Sequence, residues 1–304
     1  MPVVIDFALV GAMKAGTTTL AARLAAPPAL CVSERKEPGY FSRDERYALG
    51  AEWYASFFKH RRPGQMLGDA STCYSRSAVY PEAAPRLREH NPGLKLVYVL
   101  RHPVDRAYSH YAHEMRRLFV RGEPLPAPRA FFESDPECVA ASLYAREIDH
   151  LHRWFAPEQL LVLRFEDLVA SPEGAARRVF EFLGVDPDAS GPGATHLNAM
   201  GEGLGARRLR RRVTRARHAP LVARAVDVLP RRVRRRAKAT ILSWGAAAAR
   251  SIDDRFREAL PALGPDDRAW LHARFDGETR ELGRRLGWDV SAWLSGAGAE
   301  LVRS

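Results

Sequence analysis

Residues 3–26 read VVIDFALVGAMKAGTTTLAARLAA, and the fold of the chain is decided there. Val3 to Gly11 is a β-branched, apolar run closed by glycine, the pattern of a buried strand. Thr17 to Ala26 has the composition of a helix and is halted by Pro27-Pro28. Between them lies Gly11-Ala12-Met13-Lys14-Ala15-Gly16-Thr17-Thr18-Thr19. Glycines let a backbone approach an anion closely, and a helix N-terminus offers unpaired N–H groups at a positive dipole end. The threonine hydroxyls add donors and Lys14 adds a full charge, so the loop suits a phosphate or a sulfate ester. The GxxxxGK[ST] loop of ATP- and GTP-binding proteins needs Lys directly after its second glycine. Here Thr17 holds that place and Lys14 comes two residues before Gly16, which disfavours a nucleoside triphosphate. The plain alternative is a Gly-Thr turn with a chance lysine.

The same alternation continues outward. Strands are expected at Ala29–Ser33, Gln65–Ala70, Lys95–Arg101 and Leu160–Arg164. Helices are expected near Trp53–Phe58, over Pro81–Glu89, from Pro103 to Leu118, from Tyr144 to Phe155, and from Pro172 to Leu183 with Gly184 as the stop. Arg121–Pro128 reads as a loop and Ser251–Leu286 as helical. Strand and helix in strict turn predict an α/β fold: a P-loop-like parallel sheet flanked by helices. The expected organisation is one domain over 1–304, with a core at 1–200, a basic helical segment at 201–255 and a helical closure at 256–304.

The chain has 304 residues, of which 46% are hydrophobic and 27% charged, an ordinary globular balance. Cys31, Cys73 and Cys138 are odd in number and far apart, which argues against a disulfide framework or a zinc site and fits a reducing compartment. With no signal-peptide pattern and no membrane-length apolar run, a cytoplasmic location is expected. Only five basic residues besides the arginines are lysines, and Ala, Gly and Pro abound, a bias associated with GC-rich bacterial genomes. The net charge of +11 is uneven: residues 206–250 carry fourteen Arg and one Lys against Asp227 alone, a net +14, which leaves the remainder at −3.

A second motif, Leu100-Arg101-His102-Pro103-Val104-Asp105-Arg106-Ala107-Tyr108-Ser109, places an arginine at a strand end and a serine about two turns into the next helix. Together with Lys14-Ala15-Gly16-Thr17-Thr18 it resembles the sulfotransferases that use 3′-phosphoadenosine-5′-phosphosulfate (PAPS), above all the branch of the heparan sulfate and many bacterial enzymes. Lys36-Glu37-Pro38-Gly39-Tyr40-Phe41, Trp53-Tyr54 with Phe57-Phe58, Phe165-Glu166-Asp167-Leu168 and Phe182-Leu183-Gly184 are similar to further landmarks of that family. The resemblance implies that Lys14, Ala15, Gly16, Thr17, Thr18 and Thr19 bind the 5′-phosphosulfate and that Arg101 and Ser109 bind the 3′-phosphate. Adenosine-3′,5′-bisphosphate (PAP) would be the product. It implies Glu37 as general base, Lys14 as the cation on the leaving oxygen, and Tyr144 near the nucleotide. Lys36, Asp69 and Tyr40 are weaker candidates for the acceptor side. Arg207 and Arg208 fall where the family folds a loop over the 3′-phosphate. Two departures stand out: Gly39 replaces a frequent histidine, and Ala70 replaces a frequent lysine, which argues against heparan-like acceptors.

A sulfuryl group carries less charge than a phosphoryl group, so protein cations suffice and no metal is expected. His102, His110 and His113 match no ligand set and read as cleft or surface residues, with His110-Tyr111 on the helix surface. The acceptor is expected to be a small molecule, a lipid or a glycan. For residues 206–250 three readings stay open: a solvated Arg-rich helix, a dock for an acidic partner or an anionic membrane surface, and a nucleic-acid site. The last is weakest, because no nucleic-acid motif accompanies the charge. Two other functions compete with sulfuryl transfer: a P-loop kinase-like enzyme, and a non-enzymatic binding protein that works through the basic segment.

Overall fold

The computed structural model describes residues 3–186 and 252–295. Strands β1 (Phe7–Gly11), β2 (Leu30–Val32), β3 (Met66–Asp69), β4 (Lys95–Leu100) and β5 (Leu160–Arg164) form one sheet in the order β2-β3-β1-β4-β5. Every pairing is parallel, as the alternating sequence pattern requires. Strand β1 lies at the centre, with Phe7 opposite Gly68 on one side and Lys95 on the other. All five of its residues are buried, which explains their uniformly apolar run. Strands β4 and β5 stay in register from Leu96 opposite Leu160 to Leu100 opposite Arg164.

The helices are α1 (Thr17–Leu24), α2 (Asp44–Tyr47), α3 (Gly50–Ala55), α4 (Ala83–His90), α5 (Pro103–Arg121), α6 (Pro128–Ser134), α7 (Pro136–Ala140), α8 (Tyr144–His152), α9 (Phe165–Ala170), α10 (Pro172–Leu183), α11 (Pro265–Leu286) and α12 (Ser291–Leu294). Residues 252–259 are also helical. The chain divides into two units. One comprises residues 1–112, 127–197 and 263–304 and holds the sheet; the other comprises 113–126 and 198–262. In the second, Arg116 pairs with Asp253 and lies over the Phe256 ring, which also meets Phe119.

Several expectations shift. Strand β1 starts at Phe7 rather than Val3, and α5 runs on to Arg121. The helical stretch expected over 251–286 is two pieces, 252–259 and α11, parted around Pro261 and Gly264, where proline cannot continue the hydrogen-bond ladder. His102 and His110 are buried rather than at a cleft or surface, and Tyr111 has no exposure at all. Tyr111 is covered by α6, whose Phe131 and Phe132 rings pack on it at 5.4 and 5.9 Å between centroids, and His102 meets the His272 and Trp293 rings at 5.5 and 6.3 Å. Arg207, Arg208 and the whole segment 206–250 lie outside the described residues.

Parallel pairing sends every strand's carboxyl end to one edge of the sheet. There β1 delivers the loop with Lys14, β2 the loop with Glu37, β3 delivers Asp69, and β4 delivers Arg101. Behind that edge, Glu147 of α8 is 1% exposed and its carboxylate accepts a hydrogen bond from the Ser77 backbone N–H at 2.9 Å. Burial pushes its pKa up to about 7. A carboxyl whose folded pKa is raised contributes most below its unfolded pKa, and that contribution is lost as pH rises through the folded one. Glu147→Gln keeps a carbonyl acceptor and cannot ionise. Urea unfolding is therefore expected to show the variant gaining on the wild type by about 2–3 kcal/mol between pH 5 and pH 8.

Candidate active site

The donor side is built around the turn that follows β1. Lys14 and Gly16 both take left-handed backbone conformations, at φ 74° and 75°. Gly16 is the residue that precedes α1, and no side chain caps that helix. Its first turn has no acidic residue to offset the positive end of the helix dipole. Thr17 is buried, Thr18 half-buried and Thr19 exposed; Ala15 is buried and Lys14 half-buried. A side chain at position 16 is blocked twice. The left-handed φ disfavours a Cβ, and a Cβ built there would stand 2.8 Å from Leu168 Cδ2 of α9.

Arg101 joins this loop to β4. Its Nη1 donates to the Lys14 carbonyl at 3.1 Å, and its guanidinium lies 4.7 Å from the centre of the Phe165 ring. It is 8% exposed, and burial pulls its pKa down while Asp105 opposes the shift. The Arg101 carbonyl accepts from the Tyr144 hydroxyl at 2.8 Å, so Tyr144 holds the arginine's backbone. Ser109 is half-buried on α5. Glu166 of α9 accepts from the His102 N–H at 3.4 Å, and burial raises its pKa.

The acceptor side is built on the segment after β3. Asp69 has no solvent exposure and accepts three hydroxyl donors: Tyr54 at 2.9 Å, Tyr74 at 2.8 Å and Ser71 at 2.6 Å. Burial lifts its pKa to about 6, and these hydroxyls oppose the shift by favouring the charged form. Ser71 Oγ in turn accepts from the Gly39 N–H at 2.9 Å. The Glu37 N–H donates to the Ala70 carbonyl at 3.0 Å. Glu37 itself is left-handed at φ 63°, and its side chain is 38% exposed. Its carboxylate accepts from Thr72 N–H at 2.8 Å, from Thr72 Oγ1 at 3.0 Å and from Lys36 Nζ.

The structure thus brings Lys14 against Arg101, and Glu37 against Lys36 and the Asp69–Thr72 segment. Tyr40 goes elsewhere: it is buried and stacks on Tyr54 at 4.6 Å. Gly39, the expected histidine position, is left-handed at φ 60°, and a Cβ there would lie 2.7 Å from Arg46 Nη1. Arg46 donates from Nη1 to the Glu37 and Pro38 carbonyls and fills that space. Sequence reasoning passed over Ser71, Thr72, Tyr54, Tyr74 and Arg46. The available signal was the hydroxyl pair Ser71-Thr72, separated by Ala70 alone from an acidic strand end, a pattern that bonds to nearby backbone and side chains.

Comparison with known proteins adds the lineage. The model of the sulfotransferase family matches residues 41–189. Over this segment, just under half of its length, the chain matches the sulfotransferase family. The segment holds Asp69, Arg101, Ser109 and Tyr144 and starts after Lys14 and Glu37. Human heparan sulfate glucosamine 3-O-sulfotransferase 6 is 32% identical over 185 residues, 58% of this chain and 51% of that protein. Mouse bifunctional heparan sulfate N-deacetylase/N-sulfotransferase 2 is 28% identical over 201 residues, 60% of this chain and 22% of that protein. The chain therefore spans about half the length of the first of these relatives and about a fifth of the second. A crystal structure of a sulfotransferase from Alicyclobacillus acidocaldarius shares the fold, with a TM-score of 0.63 at 23% identity, covering 96% of this chain and 99% of the other.

The close packing at the donor loop gives a direct test. Gly16→Ala must accept both a left-handed alanine and the contact with Leu168. Denaturant unfolding is expected to show a loss of about 2–4 kcal/mol.

Proposed function

We propose that this sulfotransferase-family chain moves a sulfuryl group from PAPS to a hydroxyl or amine of a small-molecule, lipid or carbohydrate acceptor. The observation that carries the reading is the hydrogen bond from Arg101 Nη1 to the Lys14 carbonyl. It couples two cationic positions at the ends of adjacent strands, one beside an uncapped helix N-terminus and one on a buried guanidinium. PAPS carries anionic groups at both its 5′ and 3′ positions, and a planar guanidinium suits bidentate contact with a phosphate. A nucleoside triphosphate would want its lysine after Gly16, where Thr17 stands.

In this reading the loop from Lys14 to Thr19 holds the 5′-phosphosulfate, with Arg101 and Ser109 on the 3′-phosphate. The acceptor oxygen or nitrogen attacks sulfur in line. A new bond to sulfur forms as the bond from sulfur to the bridging oxygen breaks. Glu37 takes the acceptor's proton. The electron pair of the breaking bond stays on the bridging oxygen, and PAP departs with that charge beside Lys14. Glu37 suits the base role because its carboxylate is held in place and still partly open to solvent. The acceptors named for the heparan sulfate relatives are a weak guide, since Ala70 is buried and Arg46 occupies the space beside Gly39.

PAP is expected to raise the melting temperature, with ATP and DNA at equal concentration giving little change. Stabilisation by ATP without PAP would point to the kinase-like alternative, and stabilisation by DNA alone to a binding protein. Arg101→Ala is expected to abolish the PAP effect. Glu37→Gln is expected to keep it and to lower sulfuryl transfer from labelled PAPS at least 100-fold across an acceptor panel. Full turnover by that variant would remove Glu37 from the mechanism.

A further inference from the structure

We infer that Thr72 is a positioning residue for the base, a two-point clamp that fixes the plane of the Glu37 carboxylate. The inference rests on the reading of Glu37 as the group that takes the acceptor's proton. One residue supplies both donors: the Thr72 N–H reaches Oε2 at 2.8 Å and its hydroxyl reaches Oε1 at 3.0 Å. Thr72 is itself buried at 6% exposure, so neither donor is shared freely with water. Two donors on one rigid residue leave a carboxylate no rotation about its last bond. Lys36 also meets Oε1, but it sits at the rim at 30% exposure and restrains the group far less.

The backbone needs the same clamp. Glu37 is one of two non-glycine residues with positive φ among the described residues, a conformation that persists only where neighbours enforce it. The enforcing contacts come from consecutive residues: the Ala70 carbonyl on the Glu37 N–H, Ser71 Oγ on the Gly39 N–H, and Thr72 on the carboxylate. Arg46 closes the far side on the Glu37 and Pro38 carbonyls. Ala70 and Ser71 hold the loop that carries the base. Of these three, Thr72 alone touches the carboxylate, and it meets both oxygens where Lys36 meets one, so Thr72 decides which lone pair faces the acceptor.

The test compares Thr72→Val, which keeps shape and the N–H but loses the hydroxyl, with Thr72→Ser, which restores it. Sulfate release from ³⁵S-labelled PAPS, with water as the acceptor, is the rate probe. Thr72→Val is expected to lower kcat about 10- to 100-fold with the KM for PAPS within about twofold, and Thr72→Ser to recover to within about threefold of wild type. Crystal structures of both variants with PAP give a second readout. The Glu37 carboxylate should leave its position in Thr72→Val and keep it in Thr72→Ser. An unmoved carboxylate in Thr72→Val overturns the proposal whatever the rates, as does a serine variant as impaired as the valine one. Should Thr72→Val not fold, Thr72→Ala carries the same comparison. A wild-type protein that PAP does not stabilise and that releases no sulfate sinks the transfer reading instead, and the crystallographic comparison still decides on Thr72.

Discussion

A carboxylate cut off from solvent organises the half of the candidate site that holds Glu37. Asp69 ends β3 and collects hydroxyl bonds from Tyr54 on α3, from Tyr74 and from Ser71. A buried charge with one partner would be costly, and three short hydroxyl donors make it tolerable near neutral pH. The donors come from two pieces of chain, helix α3 and the turn after β3. Tyr54 anchors the helix under Tyr40, and Ser71 passes the restraint to Gly39. The next residue after Ser71 holds Glu37. The geometry at Glu37 therefore traces back to one side chain that never meets solvent.

The donor half has a comparable centre in Arg101. It binds the carbonyl of Lys14, lies over Phe165 and has its own carbonyl held by Tyr144. Both halves open on the same sheet edge because all five strands run the same way. Lys14 and Glu37, the two residues given chemical work, are the two non-glycine residues with positive φ among those described. Strained backbone concentrates where function overrides local preference, and the surrounding hydrogen bonds offset its cost.

Most of this frame was legible in the sequence. Strand β5 and helix α10 have the bounds that apolar runs and the Pro172 and Gly184 signals demand. Other runs moved at their ends, α5 ran on to Arg121, and the 251–286 run broke near Pro261. What escaped were short helices such as α6 and α9, which are too brief to show a period yet cover Tyr111 and line Gly16. Without α6, the sequence pattern leaves Tyr111 on the helix surface. In the site, residue types with strong chemistry were visible as Lys14, Glu37 and Arg101. Thr72, Ser71 and Arg46 were not, since their roles depend on which loop folds against which. Tyr40 is adjacent to the base segment in sequence, but its ring turns inward to Tyr54.

Trp293 of α12 lies 6.4 Å from the ring of Tyr144 and 6.3 Å from that of His102. Tyr144 holds the backbone of Arg101, so one of the last described side chains backs an arginine that grips the turn after the first strand. A ribosome delivers these parts in the opposite order to their dependence. The turn after the first strand therefore emerges before the wall behind its arginine. A chain extended only as far as β5 can thus carry the whole sheet and still lack the wall behind Arg101, which ties the setting of that arginine to the later helices rather than to formation of the sheet.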